Sequence, residues 1–249
     1  MSIGNATYRF RMTLMRKASR TFRTYTDLFD PYYQKLADWR SGVGESTHFL
    51  YALVRALKPR MIVEIGSARG RSTCTMALAC KENGGGVVVA VDPHTPNAWS
   101  DGGSEVGTFE FLNARLDLYG LRQHCRIIRS ISAEAARDWK TPIDLLFIDG
   151  DHTYEGVKAD WLNFHKHLTP KSVVAFHDSL WEYYPDNAGL RPNIGVPRFL
   201  SELAQEGYPM VTLWAMPGLT LVQPIVKGLS VYPAIPDLVV RSNVQKLGG

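Results

Sequence analysis

Short apolar runs recur through the middle of the chain, and each is followed by a stretch whose apolar residues have helical spacing. The runs are rich in valine and isoleucine and have too few polar positions for strands with one face in water, so they suit parallel strands buried on both faces. The runs cover residues 61–65, 87–91, 125–128, 143–148 and 172–176, and the helical stretches cover 72–82, 106–119, 133–139 and 154–167. Alternating strands and helices predict a doubly wound α/β sheet of the Rossmann-like kind, with helices on both faces.

The pattern changes towards the end of this region. A helical stretch at 196–206 is followed by apolar runs at 210–215 and 219–223, which flank the sequence Met216-Pro217-Gly218. Proline followed by glycine between two apolar runs is typical of a tight turn, so these two runs predict an antiparallel hairpin. The complete prediction is a mostly parallel, seven-stranded sheet that ends in this hairpin.

The same pattern divides the chain into a central domain with an addition at each end. Residues 45–224 are predicted to form the α/β domain, which starts with a helix at 47–57 that Pro59 ends. Residues 1–44 are predicted to be a helical extension, and residues 225–249 to be an extended tail. A chain of 249 residues can bury the core of such a domain without disulfides or a structural metal.

The net charge of +4 is unevenly distributed. The basic residues that precede the first acid, Asp27, are Arg9, Arg11, Arg16, Lys17, Arg20 and Arg23, and without them the rest of the chain has an excess of acids. Their segment has helical spacing, and three interpretations stay open: a helix packed on the domain or on a second subunit, a helix that binds a membrane surface or an anionic partner, and a targeting segment. Because the remainder is not basic, we do not expect a nucleic-acid substrate.

The cysteine count and the hydropathy pattern indicate in which cellular compartment the protein is expected. The chain has three cysteines and no CxxC pair, so neither a disulfide framework nor a structural zinc site is expected. No stretch approaches the about 18 uncharged apolar residues of a membrane span, and the start of the chain lacks the apolar core of a secretory signal. We therefore predict a cytoplasmic protein.

The first motif with chemical meaning runs from Glu64 to Ser72, where a strand ends, a glycine-containing turn follows and a helix begins. Gly66 and Gly70 allow a sharp turn and a close approach of the backbone to a ligand, and the start of the helix offers unpaired N–H donors. This glycine spacing alone is weak evidence. The next strand, however, ends in Asp92, and an acid there can accept hydrogen bonds from both hydroxyls of a ribose. Strand, turn, helix, strand and acid together predict a nucleoside-binding unit.

Two features of the turn distinguish between possible nucleosides. The fingerprint for NAD is Gly-x-Gly-x-x-Gly, in which the second glycine admits a pyrophosphate, whereas residue 68 here is alanine. Glu64 stands just before the turn, where a carboxylate would repel a pyrophosphate and attract the ammonium group of a methionine moiety. Charge therefore favours S-adenosylmethionine over NAD.

Polar residues follow the fourth and fifth predicted strands. Asp149, Asp151 and His152 come after one strand, and His177 and Asp178 after the other. Ligands of open α/β sheets bind at the carboxyl ends of the strands, so we expect these side chains to meet beside the methyl donor. Oxygen-rich ligands suit a divalent cation such as Mg²⁺, which could lower the pKa of a substrate hydroxyl, and a nearby acid or histidine could take the proton.

These motifs resemble those of the class I, S-adenosylmethionine-dependent methyltransferases, in particular the small-molecule O-methyltransferases, a group that includes enzymes acting on sugar hydroxyls of natural products. The resemblance covers about residues 45–206 and is specific for the class rather than for a substrate. The motifs are Val63-Glu64-Ile65-Gly66-Ser67, Val91-Asp92, Ile148-Asp149-Gly150-Asp151-His152-Thr153-Tyr154, Phe176-His177-Asp178-Ser179 and Gly195-Val196-Pro197.

The resemblance implies a role for each matching residue. The expected donor-binding residues are Glu64, Gly66, Ser67 and Ser72 at the methionine end, Asp92 at the ribose, and Ser132 and Ala133 at the adenine, together with Gly70 and Asp149. In metal-dependent relatives, the positions of Asp149, His177 and Asp178 hold the ion, and the position of Asp151 is the candidate base. This chain has His177 where those relatives often have an acid.

Together these features predict an enzyme that transfers a methyl group from S-adenosylmethionine to a hydroxyl oxygen of a small molecule. The predicted catalytic residues are Asp149, Asp151 and His152, with Mg²⁺ as the expected cation if one is bound. The alternatives are methyl transfer to nitrogen and a non-catalytic protein that keeps the nucleoside pocket. We also expect a homo-oligomer. The segment 94–107 is a candidate lid, and the candidate acceptor contacts are Trp181, Tyr183 and Tyr184.

Overall fold

The structure is a computed structural model of the chain, and it describes residues 43–44, 46–95, 107–181, 193–215 and 217–224. The helices in these ranges are α1 Ser46–Leu57, α2 Arg71–Glu82, α3 Thr108–Leu118, α4 Ser132–Arg137, α5 Tyr154–His165 and α6 Val196–Gln205. The strands are β1 Met61–Ile65, β2 Val87–Val91, β3 Cys125–Ile128, β4 Ile143–Ile148, β5 Leu168–His177, β6 Met210–Leu213 and β7 Leu219–Val222. The predicted basic helix, the C-terminal tail, most of the candidate lid, and Tyr183 and Tyr184 lie outside the described residues.

The seven strands form one sheet in the order β3-β2-β1-β4-β5-β7-β6. The first five strands in the chain pair in parallel, and β7 pairs antiparallel with both β5 and β6. This arrangement confirms the predicted doubly wound sheet and its C-terminal hairpin. It adds one feature that periodicity did not predict: the second strand of the hairpin lies inside the sheet and the first lies at the edge.

Helices cover both faces of the sheet because the central strands are apolar on both sides. On β4, Leu145 and Phe147 pack with α1, α2 and α3, whereas Leu146 and Ile148 pack with α4, α5 and α6. All four side chains are almost fully buried. Burial of a large apolar side chain contributes about 1.5–3 kcal/mol, so these two layers hold the carboxyl ends of the strands in fixed positions.

Two strands differ from the prediction. β3 is only partly buried, and Arg126 is exposed, because this strand lies at the edge of the sheet. The prediction that every parallel strand is buried on both faces is therefore wrong for β3. β5 begins at Leu168, before the apolar run at 172–176, and its pairing with β4 shifts register between Ile143 and Leu145.

In the parts of the chain that the structure describes, no helix has both the length and the apolar composition needed to cross a membrane.

Candidate active site

The turn after β1 packs against the backbone that follows β4. Gly66 has φ +87, and a Cβ there would lie 2.1 Å from the carbonyl oxygen of Asp149, so only glycine fits. The backbone N–H of Asp149 donates to the Ile65 carbonyl at 2.9 Å, which holds the two strand ends together. The predicted donor turn and the predicted catalytic carboxylate are thus neighbours.

Gly70 closes the same turn and precedes α2. Its φ of +82 is left-handed, and a Cβ would lie 2.1 Å from Cδ1 of Leu112 on α3. Its N–H donates to the Ser67 carbonyl at 2.6 Å, and α2 begins at the next residue. Gly70 therefore shapes the turn through its backbone and through close packing of α3.

Glu64 joins β1 to the first turn of α2. Its buried carboxyl group accepts hydrogen bonds from the hydroxyl groups of Ser72 and Thr73. Burial raises the pKa of Glu64 to about 8, so the group is largely neutral at pH 7. Glu64 can attract an ammonium group by charge only when its carboxyl group is ionised, and this buried position opposes ionisation. Thr73 was not predicted, and a hydroxyl in the first turn of a helix after an acidic strand end is the signal that could have identified it.

Asp92 follows β2 and organises the backbone around the predicted ribose position. Its Oδ2 accepts from Ala68 N–H at 2.8 Å and its Oδ1 from His94 N–H at 2.6 Å. Ala68 and His94 both have positive φ values, +42 and +51, which for residues other than glycine are costly and often found at functional sites. Asp92 therefore ties the glycine turn to the end of β2, and each oxygen keeps a second lone pair for a hydroxyl donor.

His94 was not predicted as a site residue. Its ring Nδ1 lies 2.9 Å from Thr108 Oγ1, and its Nε2 is buried without a hydrogen-bond partner among the described residues. Ser67 Oγ, in the glycine turn, is buried in the same way. Buried polar atoms without partners in proteins usually meet a ligand or an ordered water, so both atoms fit a polar ligand at this turn.

Ser132 and Ala133, predicted near the adenine, begin α4. The Ser132 hydroxyl lies 3.1 Å from Nδ2 of Asn163 on α5, so this side chain faces α5. The Ser132 hydroxyl is therefore already engaged by α5.

The carboxylates after β4 and β5 come together around two histidines. His152 Nδ1 lies 3.0 Å from Asp178 Oδ2 and 4.0 Å from Asp149 Oδ1. Among the described residues, Asp149, His152 and Asp178 each offer a possible metal-ligand atom within 4.8 Å of the others. Asp178 also has a positive φ of +55, a strained conformation that aspartate tolerates better than most residues. The predicted convergence of the two strand ends is thus present.

His177, which was predicted as a metal ligand, lies buried between the Asp149 and Asp178 carboxylates. Its side chain is 3% exposed, and its Nδ1 lies 3.0 Å from Asp149 Oδ1 and 3.3 Å from Asp178 Oδ1. Burial lowers the pKa of His177, but the two carboxylates outweigh it and raise the pKa well above its ordinary value. A protonated His177 therefore balances the charge of the two carboxylates.

Asp151 lies in the turn that starts α5. Its Oδ1 accepts from Thr153 N–H at 3.0 Å, and the Thr153 hydroxyl in turn accepts from Gly156 N–H at 3.1 Å. Asp151 is exposed, and its carboxyl group packs against Gly156, where a Cβ would approach Asp151 Cγ to 2.4 Å. These contacts give Asp151 a part in capping α5, and of the two imidazoles beside the carboxylates His152 is the more exposed.

The sequence of the chain is similar to those of known proteins. Residues 63–179 match the family model described as a methyltransferase domain. The uncharacterized protein y4gI of Sinorhizobium fredii is 32% identical over 157 residues, which cover 58% of this chain and 17% of that protein. An Arabidopsis thaliana protein named as a candidate caffeoyl-CoA O-methyltransferase is 28% identical over 156 residues, 60% of this chain and 59% of that protein. The chain thus spans less than two thirds of the length of either curated relative.

Solved structures share the fold. The O-methyltransferase TomG of Streptomyces achromogenes, solved in complex with S-adenosylmethionine, aligns with a TM-score of 0.58 at 20% identity over 81% of this chain and 94% of that chain. At 20% sequence identity, this structural similarity supports a shared fold and nothing more specific. The match to the family model covers residues 63–179 only. Both agree with the resemblance seen in the sequence motifs. Residues 63–179 of the chain therefore match a methyltransferase domain, in agreement with the resemblance of its motifs to those of the class I methyltransferases.

Proposed function

We propose that the chain transfers a methyl group from S-adenosylmethionine to a hydroxyl oxygen of a small molecule. One observation supports this most strongly: the Gly66 turn packs on the backbone of Asp149, whose carboxylate shares a cluster with His152 and Asp178. A donor seated on that turn would have its methyl group within reach of residues that can activate a hydroxyl.

The donor site is proposed from polar groups that surround the turn. The ribose hydroxyls would donate to Asp92, whose position is fixed by Ala68 and His94. The ammonium group of the methionine moiety would lie near the Asp149 carboxylate, because the Glu64 carboxyl group is buried and largely neutral. TomG, which has the same fold, is in complex with S-adenosylmethionine.

His152 is the proposed general base. The Asp178 carboxylate contacts Nδ1 and orients the ring, so that Nε2 is the nitrogen that takes the acceptor proton. As the proton leaves, the acceptor oxygen forms a bond to the methyl carbon and the carbon–sulfur bond breaks. The sulfonium becomes a neutral thioether, and the proton stays on the imidazole.

A divalent cation is a second way to activate the acceptor. Asp149, His152 and Asp178 would hold it, and it would act as a Lewis acid that lowers the pKa of the bound hydroxyl. The donor set fits a divalent ion, and its imidazole favours Mn²⁺ or Zn²⁺ over the Mg²⁺ predicted from the sequence. His152 would then be a ligand, so the two schemes differ in their response to a chelator.

The remaining expectations about partners and location also stay proposals. A small-molecule acceptor is supported by the excess of acids outside the amino-terminal segment. A cytoplasmic location is supported by the unpaired cysteines Cys74, Cys80 and Cys125. A homo-oligomer and a nitrogen acceptor remain predictions from the sequence.

The test is methyl transfer from a labelled donor by the purified chain to a panel of catechols, hydroxycinnamoyl thioesters, sugars and amines. Each reaction is run with and without a chelator, and then with Mg²⁺, Mn²⁺ or Zn²⁺ restored. Labelled ethers are expected among the products. A chelator-resistant rate supports the histidine scheme, and a rate restored by one metal supports the cation scheme. Absence of transfer together with absence of affinity for S-adenosylhomocysteine would refute both.

A further inference from the structure

One buried carboxyl group near the site has no role in the scheme above. Asp160 lies on α5 and is 6% exposed, and its Oδ2 has no hydrogen-bond partner among the described residues. A carboxyl group loses hydration when it is buried, so such a group is rare in a protein interior unless it has a partner or a function.

On one side, Asp160 reaches the start of α4. Its carboxyl group is hydrogen-bonded to the hydroxyl of Ser132, which also accepts from Asn163 Nδ2 at 3.1 Å. Ser132 is the first residue of α4, and α4 packs along α5. Asp160 and Asn163 thus fix the beginning of α4 to α5.

On the other side, Asp160 lies against the backbone that follows β4. A Cβ on Gly150 would be 3.0 Å from Asp160 Oδ2, and within 3.8 Å of the Gly66 nitrogen. Gly150 directly follows Asp149. The carboxyl group therefore lies beneath the two segments, around residues 66 and 150, that form the floor of the proposed donor site.

We propose that Asp160 is a positioning residue of the donor site, which sets the spacing between the start of α4 and the end of β4 through its contacts with Ser132 and Gly150. The nucleoside of the donor would lie between these two segments. This inference rests on the proposed function, because it concerns the same donor. Asp160 Oδ2 is shielded from solvent, so the residue acts through its neighbours and not by touching the ligand.

The ionisation of Asp160 gives this role a measurable signature. Burial raises its pKa to about 7, the Ser132 hydrogen bond lowers it, and the nearby Asp151 carboxylate raises it. The charged residues of α4, Glu134 and Arg137, are exposed. Ionisation would place a negative charge on the unpartnered Oδ2, which packs against Gly150 beneath the donor site, and a buried charge without a partner disfavours that packing, so we expect donor affinity to fall as the pH rises through 7.

The experiment measures S-adenosylhomocysteine affinity of the full chain by calorimetry at several pH values between 6 and 8.5. The variants are Asp160→Ala, Asp160→Asn and Ser132→Ala. Asp144→Asn is the matched control, since Asp144 accepts from Arg60 N–H and Met61 N–H at the amino ends of β1 and β4, away from the site. Unfolding midpoints are recorded for all of them.

Asp160→Ala is expected to weaken binding about tenfold, the effect of losing one well-placed buried hydrogen bond. Asp160→Asn keeps an oxygen that accepts from Ser132, so it should bind almost as wild type does at pH 6 and lose the pH dependence. Ser132→Ala should weaken binding in the same direction as Asp160→Ala. Asp144→Asn should retain wild-type affinity and pH dependence even if it unfolds at a lower temperature.

Wild-type affinity and pH dependence in both Asp160 variants would overturn this inference while leaving the proposed function intact. The same applies if Asp144→Asn weakens binding as much as the Asp160 variants do, because the effect would then reflect stability alone. If the wild-type chain itself does not bind S-adenosylhomocysteine, the proposed function fails and this inference fails with it. If Asp160→Ala does not fold, the pH profile of Asp160→Asn decides.

Discussion

His152 and His177 lie beside the same carboxylates but differ in accessibility, with 12% and 3% of their side chains exposed. The buried imidazole is held as a cation between Asp149 and Asp178, whereas the more accessible one is oriented by Asp178 alone at 3.0 Å. A base must reach the proton that it removes, so accessibility assigns the base role to His152 and the charge-balancing role to His177.

The first prediction concerns the base. His152→Gln should lower kcat on the order of 10²–10⁴-fold, the usual contribution of a general base, and leave S-adenosylhomocysteine affinity within about threefold of wild type. His124→Gln is the control, because His124 contacts the Gly86 carbonyl away from the carboxylates. Methyl-transfer kinetics and calorimetry measure the two effects. If Asp151→Asn abolishes transfer and His152→Gln does not, the base is Asp151.

The second prediction concerns the pKa of Glu64. The folded protein holds this carboxyl group protonated up to about pH 8, whereas the unfolded chain releases the proton near pH 4.5. The contribution of Glu64 to stability is therefore present below pH 4.5 and is lost as the pH rises towards 8. Urea unfolding at pH 5 and pH 8 should show a fall on the order of a few kcal/mol, which is smaller in Glu64→Gln. Glu134→Gln, at an exposed position, is the control and should show the same fall in unfolding free energy as the wild type.

The sequence predicted the residues that strand ends bring together, but not those that depend on packing. Asp149, His152 and Asp178 could be predicted because parallel strands end at one edge of a sheet. Asp160 was missed, although it lies among Val157, Trp161 and Phe164 on the buried face of α5, where an acid is unusual. An acid at an apolar helix position is therefore a signal that a sequence analysis can use.

At the scale of elements, β4 and β5 and the turns that follow them define the site. Predicted and observed helix boundaries agree within one or two residues where caps are present: α5 begins at Tyr154, after the Thr153 cap, and α6 at Val196, after Gly195. Sheet order beyond β5 could not be predicted, because the two hairpin strands are similarly apolar and either could pair with β5. The burial of β3 was overestimated because the hydrophobic pattern of a strand does not show whether the strand lies at the edge of the sheet.

The third prediction separates steric fit from backbone strain in the turn after β1. Gly66→Ala adds a Cβ 2.1 Å from the Asp149 carbonyl oxygen, whereas Gly84→Ala has a similar φ of +75 and no atom within 4 Å. Gly84→Ala should therefore cost about 1–2 kcal/mol, the usual penalty for a left-handed residue. Gly66→Ala should cost clearly more and should also abolish S-adenosylhomocysteine binding. Urea unfolding and calorimetry check both results, and equal costs with intact binding would contradict the close-packed turn.

At the scale of the whole molecule, the residues proposed to bind the donor and those proposed to activate the acceptor follow two neighbouring pairs of strands. The donor residues follow β1 and β2, and the carboxylates and histidines follow β4 and β5, while β1 and β4 are adjacent. Both apolar layers of the core pack against these strands. A ligand that bridges the two halves should therefore stabilise the domain as a unit.

The fourth prediction follows from that coupling. A ligand that binds only the folded chain adds about 2.7 kcal/mol at a hundred times its Kd, which for a domain of this size raises the unfolding midpoint by about 5–10 °C. S-adenosylhomocysteine should produce such a shift, and NAD should not, because Ala68 replaces the glycine that admits a pyrophosphate. Asp92→Asn is expected to reduce the shift by weakening the ribose contact, whereas Asp144→Asn is expected to keep it. A shift with NAD and none with S-adenosylhomocysteine would place a different nucleoside on the turn and remove the basis for methyl transfer.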